Sequence, residues 1–253
     1  MSTYKFSDLG TALNLTGPIK ASTIITTNGG STGAGTAGSN FNTTSYNSPK
    51  IYVDSSGKGV AFVNASSQYC MAAPASATFS LNKFVSSGVY DGMTVIAVLK
   101  FRTTVSYEYA ANVYSNTAPN YECFIGRADT TNLYASDIYN GTSAINTFYI
   151  TSNATITNNA TQIFATTYKN ISSTQYQVQH YRNNSTPLAM SVGVTRNGTI
   201  QNRTLNRVVL GALSPTSNFF NGVLYEYLVF NNCMTVSKIG SLMTTLKTKW
   251  NVA

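Results

Sequence analysis

Short runs of β-branched and aromatic residues follow one another along the chain from residue 50 onward. They fall at 59–63, 68–71, 94–101, 121–125, 132–139, 148–150, 162–168, 175–181, 188–192, 207–210 and 223–230, with an earlier short run at 22–26. Clusters of Gly, Asn, Ser and Pro separate them at close spacing. Many short strands punctuated in this way predict an all-β antiparallel sandwich of the jelly-roll kind. No segment repeats at a fixed period, which speaks against a propeller or a solenoid.

One stretch has helical rather than strand spacing. Val236, Ile239, Leu242, Met243 and Leu246 recur at three- and four-residue steps, and Thr235 stands where an N-cap belongs. Lys247 and Lys249 fall in the last turn, where cations suit the helix dipole. Trp250, the single tryptophan, continues the apolar stripe. The expectation is a short C-terminal helix covering an open end or edge of the sandwich.

The first part of the chain is different. Residues 28–48 are rich in Gly, Ser and Thr and nearly free of large apolar side chains. Such a composition cannot offset chain entropy by burial, so residues 1–48 read as an N-terminal segment with a flexible arm, ordered only against a neighbour. Residues 49–253 then form the sandwich domain.

Composition sharpens this picture. Charged residues are only 9% of the 253, against roughly a quarter in ordinary soluble domains. Polarity comes instead from 27 Asn, 28 Ser and 35 Thr, residues that favour turns and strand surfaces. Net charge is +8, but no run of Lys and Arg concentrates it, so no nucleic-acid partner is expected. No apolar stretch approaches the ~18 residues of a membrane span, and no signal-peptide core opens the chain, so membrane insertion is not expected either. Cys70, Cys123 and Cys233 are odd in number and widely spaced, which fits three buried free thiols better than a disulfide framework. Eleven Asn-x-Ser/Thr sequons occur, among them Asn64, Asn140, Asn170 and Asn197. Chance alone would give roughly seven, which leaves glycosylation open.

Several segments resemble the concanavalin A-like lectin/glucanase superfamily in its laminin-G-like branch. Residues 59–69, running from Gly-Val-Ala-Phe through an Asn/Ser turn into Gln-Tyr, are similar to an early strand pair of that family. Residues 91–101 resemble its following central strand. His180-Tyr-Arg-Asn-Asn184 stands where the family has Tyr-x-Asn-Gly in a hairpin, with Asn184 in place of the glycine. Residues 209–212, 219–222 and 226–231, then the closing Lys249-Trp250, are similar to the final strands and helix. The resemblance spans residues 50–250. It implies the concanavalin A-like sandwich and, since such domains decorate virus particles, a virion setting; fold alone does not fix function.

The catalytic members of that superfamily hydrolyse glycans with paired carboxylates. On a strand such a pair occupies alternate positions, because alternate residues share a face. The eight acidic residues here are Asp8, Asp54, Asp91, Glu108, Glu122, Asp129, Asp137 and Glu226, and no two stand at i, i+2. No catalytic residue is therefore assigned, and the chain is not expected to be an enzyme. Glu226 reads as a buried carboxylate at the helix junction, on a strand face with Gly222, Leu224, Leu228 and Phe230. His180, the single histidine, lacks a nucleophile nearby in sequence and reads as a strand-face residue. No metal-ligand spacing occurs, and no cofactor is expected; a calcium site built from backbone carbonyls would leave no trace in sequence. The glycines at 29–38 lack the lysine of a phosphate loop.

The remaining lead is tyrosine. Tyr107, Tyr109, Tyr121, Tyr134 and Tyr139 gather in mid-chain among Asn and Thr. Sugar sites combine aromatic faces with amides and hydroxyls, so these five are the candidate ligand-binding residues, although core or interface packing is the commoner role for tyrosines so placed. Two functions follow. One is a non-catalytic structural or surface protein of a virus particle, in contact with other virion proteins and with copies of itself. The other is a lectin-like module for cell-surface glycans, on a virion or secreted. A glycoside hydrolase is a distant third.

Overall fold

In the computed structural model of the protein the described residues are 2–5, 19–21, 24–25, 41–46, 49–74, 79–80, 92–103, 107–114, 123–128, 131–138, 149–153, 155–172, 174–190, 195–197, 204–205, 207–214, 217–230 and 233–253. They form an antiparallel β-sandwich with one helix at the C-terminal end.

Among the described residues the larger sheet has nine strands. Its middle is Gln162–Asn170, Gly92–Phe101 and Gly222–Phe230, in that order. Gln175–Arg182 and Thr195–Asn197 extend one side. Ser2–Lys5 and Ile24–Ile25 extend the other, where Gly57–Phe62 also pairs with Gly222–Phe230 and carries Lys50–Asp54 at its edge. The second sheet has eight strands, running from Tyr149–Ile150 through Tyr134–Ile138, Cys123–Arg127, Glu108–Tyr114, Arg207–Leu210, Tyr69–Pro74 and Phe41–Tyr46 to Ile19–Ala21. Phe41–Tyr46 thus closes the stretch read as a flexible arm with a strand. Its Thr, Asn and Ser residues bond through the backbone to Tyr69–Pro74 on one side and Ile19–Ala21 on the other. Residues 26–40 lie outside the described residues.

The sheets meet through side chains of alternate parity. Tyr134 lies against Phe164 with ring centroids 4.6 Å apart, and its hydroxyl shares a 2.6 Å hydrogen bond with Thr166. Val95, Ala97, Leu99 and Phe101 are fully buried between the layers. The opposite parity, Ile96 and Val98 with Ile163 and Ala165, faces the helix.

The Val236–Trp250 helix begins as its sequence dictates, with the Thr235 hydroxyl accepting from the Lys238 N–H. It buries Ile239, Met243, Leu246 and Trp250. It covers the outer face of the nine-stranded sheet, not an end or edge as its position in the sequence suggested. The reason is that the central strands are apolar on both faces, and the outer face needs a cover. No helix among the described residues is long and apolar enough to cross a membrane.

A β-bulge between Leu224 and Glu226 changes the face reading of the last strand. Leu224 pairs with Leu99 and Glu226 with Val98, so the extra residue reverses the parity. Gly222 and Leu224 belong to the sandwich side, while Glu226, Leu228 and Phe230 share the helix side. Tyr225 also packs in the helix-side cluster, with its ring 5.5 Å from that of Trp250.

Candidate functional site

The three acidic side chains described are each held by partners. Glu226 accepts from the Trp250 indole and from Lys249, both at 2.6 Å. It sits at the helix junction as expected, but the helix itself supplies the partners. Glu108 pairs with Arg127 at 3.0 Å, both wholly buried. Asp54 accepts from Lys100, from the Tyr225 hydroxyl at 2.7 Å and from the Ser56 N–H at 2.9 Å. Burial alone would raise the Asp54 carboxyl, but these hydrogen bonds outweigh it and hold it below the usual aspartate range. Burial would lower Lys100; its bonds to Asp54 and Tyr225 carry it above the usual lysine value. No acid–base pair suited to hydrolysis is assembled from these three groups. Among the described residues no group of three or more His, Cys, Asp or Glu could hold a metal.

His180 stands on a face of the Gln175–Arg182 strand, as expected, and that face is wholly buried in the sandwich core. Its Nε2 is 2.7 Å from Ser136 Oγ on the facing sheet, and its ring is 4.5 Å from that of Tyr134. Burial drives its pKa down to about 3, so it is neutral. Cys233 is half-buried, with its Sγ 3.8 Å from the Met234 carbonyl oxygen.

Of the expected tyrosines, Tyr107, Tyr109 and Tyr134 are described, and these three do not share one exposed surface. Tyr109 is 2% exposed and packs with Ala128 and Ala135. Tyr134 is fully buried between Phe164 and His180. Both stand on inner strands whose neighbours cover them, so their Asn- and Thr-rich surroundings in sequence do not become solvent in space. Tyr107 is 52% exposed. Tyr121 and Tyr139 lie outside the described residues.

Tyr107 belongs instead to a corner of the sandwich that it shares with residues far off in sequence. The Gly92–Phe101 strand ends at Arg102, whose N–H donates to Asn221 O at 3.0 Å. The Asn221 side-chain amide donates to Thr103 Oγ1, and its backbone N–H donates to Glu108 Oε2 at 2.9 Å. Asn221 therefore pins both ends of the loop that carries Tyr107. Tyr107 itself has φ of 53°, a backbone region that bulky residues rarely adopt and that clusters at functional sites. Other loops at this end turn through Ser67, Asn132, Asn159 and Asn183, all also at positive φ. Asn and Ser tolerate that conformation, so this end is a rim of tight, polar turns.

Across the corner, on the outer face of the larger sheet, the Arg102 guanidinium carbon stands 4.8 Å from the Tyr52 ring centroid. Tyr52 comes from the edge strand Lys50–Asp54 and is half-buried against the helix-side cluster. Gly59 makes room between Tyr52 and Tyr225. A Cβ there would lie 2.7 Å from Val223 Cγ1 and 3.0 Å from Tyr225 Cδ1. Tyr52 and Arg102 were not among the expected site residues.

No protein-family model and no curated protein sequence matches the chain. Solved structures of similar shape exist at low identity. The binding domain of botulinum neurotoxin DC, in complex with rat synaptotagmin II, is 12% identical with a TM-score of 0.52, covering 92% of this chain and 52% of that one. This chain therefore spans about half the length of that domain. The same toxin domain in complex with SialylT gives 11% identity, TM-score 0.49 and the same coverage. The CBM40 domain of the Ruminococcus gnavus IT-sialidase, bound to alpha2,3 sialyllactose, gives 12% identity and TM-score 0.45, covering 60% of this chain and 82% of that one. The likeness to the first of these is one of fold: the chain is an antiparallel β-sandwich with a C-terminal helix.

Proposed function

We propose that the protein is a lectin-like glycan-binding module and that its sugar site is the corner formed by Tyr52, Arg102, Thr103, Tyr107 and Asn221. The observation that carries this is the stacking of the Arg102 guanidinium over the Tyr52 ring, at a strand end that Asn221 ties to Thr103 and to Glu108, the neighbour of the exposed Tyr107. Aromatic faces supply area for a sugar ring, and the amide and hydroxyl groups orient it. The three described carboxylates are occupied by structural partners, which supports binding over hydrolysis. The fold shared with a toxin's binding domain supports the same choice.

The surface of a virus particle, expected from the resemblance, would be one setting for such a module, with the corner as an attachment site and with other virion proteins and further copies of the chain as neighbours. Self-association is tested by light scattering of the purified chain.

The binding test is a glycan array probed with the full chain, followed by Tyr107→Ala and Tyr52→Ala. We expect binding to one glycan class, weakened about tenfold or more by each variant, which corresponds to about 1.4 kcal/mol. Urea unfolding should show Tyr107→Ala unchanged in stability, since its side chain is exposed. An array without signal, or variants that bind as the parent does, would sink the proposal.

A further inference from the structure

The corner also says which kind of sugar it selects, an inference that rests on the glycan-binding reading above. Carboxylates are scarce in this chain, eight against sixteen Lys and Arg. The three described ones are paired with Lys100, Arg127 and Lys249. Arg182, at the same end of the larger sheet, is turned to the Thr155 carbonyl. Arg102 is different. Its guanidinium lies over the Tyr52 ring, is only partly exposed, and has no ion-pair partner among the described residues.

The surroundings add positive charge. Lys100 lies 5.8 Å from the same Tyr52 ring, and Lys50, on the same face of the edge strand, is exposed. Asp54 is the one described carboxylate in this group, and Lys100 takes it. The cluster of Lys50, Lys100, Arg102 and Asp54 therefore keeps a net positive charge. A guanidinium stacked on an aromatic ring is oriented by the ring, and its N–H edge is left to meet a planar or tetrahedral anion in a fixed direction.

We infer that the Tyr52–Arg102 face reads an anionic group on the glycan, a sugar carboxylate or sulfate, while Tyr107, Thr103 and Asn221 hold the neutral part of the sugar. Arg102 is the specificity-determining residue and Tyr52 the positioning residue that aims it.

The experiment uses three matched fluorescent probes: a lactose-based oligosaccharide, its terminally carboxylated counterpart and its sulfated counterpart. Each is titrated against the full chain, Arg102→Gln, Arg102→Lys and Tyr52→Leu, at two salt concentrations. We expect at least one anionic probe to bind tenfold or more tighter than the neutral one, with affinity falling as salt rises. Arg102→Gln should abolish that preference, bringing the anionic probes to the affinity of the neutral one in the same variant. Arg102→Lys should recover part of it, and Tyr52→Leu should reduce it with less effect on the neutral probe. Preference for the carboxylated or for the sulfated probe decides between the two anions. Equal binding of all three probes, or a preference that survives Arg102→Gln, overturns the inference while the glycan-binding reading stands. Failure of every probe and of the wider array removes that reading, and this inference with it.

Discussion

The indole N–H of Trp250 donates to a carboxylate oxygen of Glu226 at 2.6 Å, and that single bond joins the end of the helix to the strand that runs through the middle of the larger sheet. Lys249 donates to the same oxygen. Glu226 is 3% exposed, so neither partner is readily replaced by water.

Replacing Glu226 with Ala leaves the buried indole donor without an acceptor, which costs about 1–3 kcal/mol of stability. Glu226→Gln keeps an acceptor and should cost less. Urea unfolding followed by tryptophan fluorescence measures both. Glycan binding per folded molecule should be the same in all three proteins, because neither Glu226 nor Trp250 is among the proposed site residues. A loss of binding in Glu226→Gln without a loss of stability would restore a catalytic or ligand role to this residue.

His180 makes the fold acid-sensitive. Its folded pKa is depressed to about 3, below the ordinary value of 6.5. The unfolded chain therefore takes up a proton first as pH falls, and the contribution of the neutral histidine, complete above 6.5, declines toward 3 at up to about 1.4 kcal/mol per pH unit. Asp54 adds its own loss only at the acid end, since its pKa is also lowered. Between pH 6 and 4.5 the slope belongs chiefly to His180. Unfolding free energies at a series of pH values should show this slope in the parent and a flatter line in His180→Gln.

Arg127 and Glu108 form the other deep polar contact, with both side chains at 0% exposure. Glu108→Leu strands a buried guanidinium and should cost about 3–5 kcal/mol, whereas Glu108→Leu with Arg127→Met should recover much of that loss. A double-mutant cycle by urea unfolding gives the coupling. If the double variant is no better than the sum of the two singles, the pair is not acting as a unit.

Much of the framework was legible in the sequence because the central strands announce themselves. Val95, Ile96, Ala97, Val98 and Leu99 are all buried, as their uninterrupted apolar run suggests, and the helix starts at the Thr235 cap that the pattern indicated. The Glu108–Tyr114 strand was not read, because a strand carrying Glu108 and Asn112 looks polar until Arg127 and the Leu213 carbonyl are seen to satisfy them. The face of Glu226 was misjudged because a bulge leaves no mark in composition and yet reverses every later position. The site was harder still. Tyr109 and Tyr134 differ from Tyr107 only in what stands over them, and that depends on strands far away in the chain. Tyr52 and Arg102 meet across the strands between them, so no local spacing connects them.

Arg127 has one more consequence. Beyond Glu108 it bonds the side chains of Asn132 and Asn158, and Glu108 in turn holds the Asn221 backbone, so three loops from separate parts of the chain hang on one buried cation. Such a rim opens as a piece or not at all, and its amides should exchange with deuterium together and slowly. For the proposed sugar site this means hydrogen-bonding groups fixed in advance, so that the ordering entropy of association would fall chiefly on the sugar.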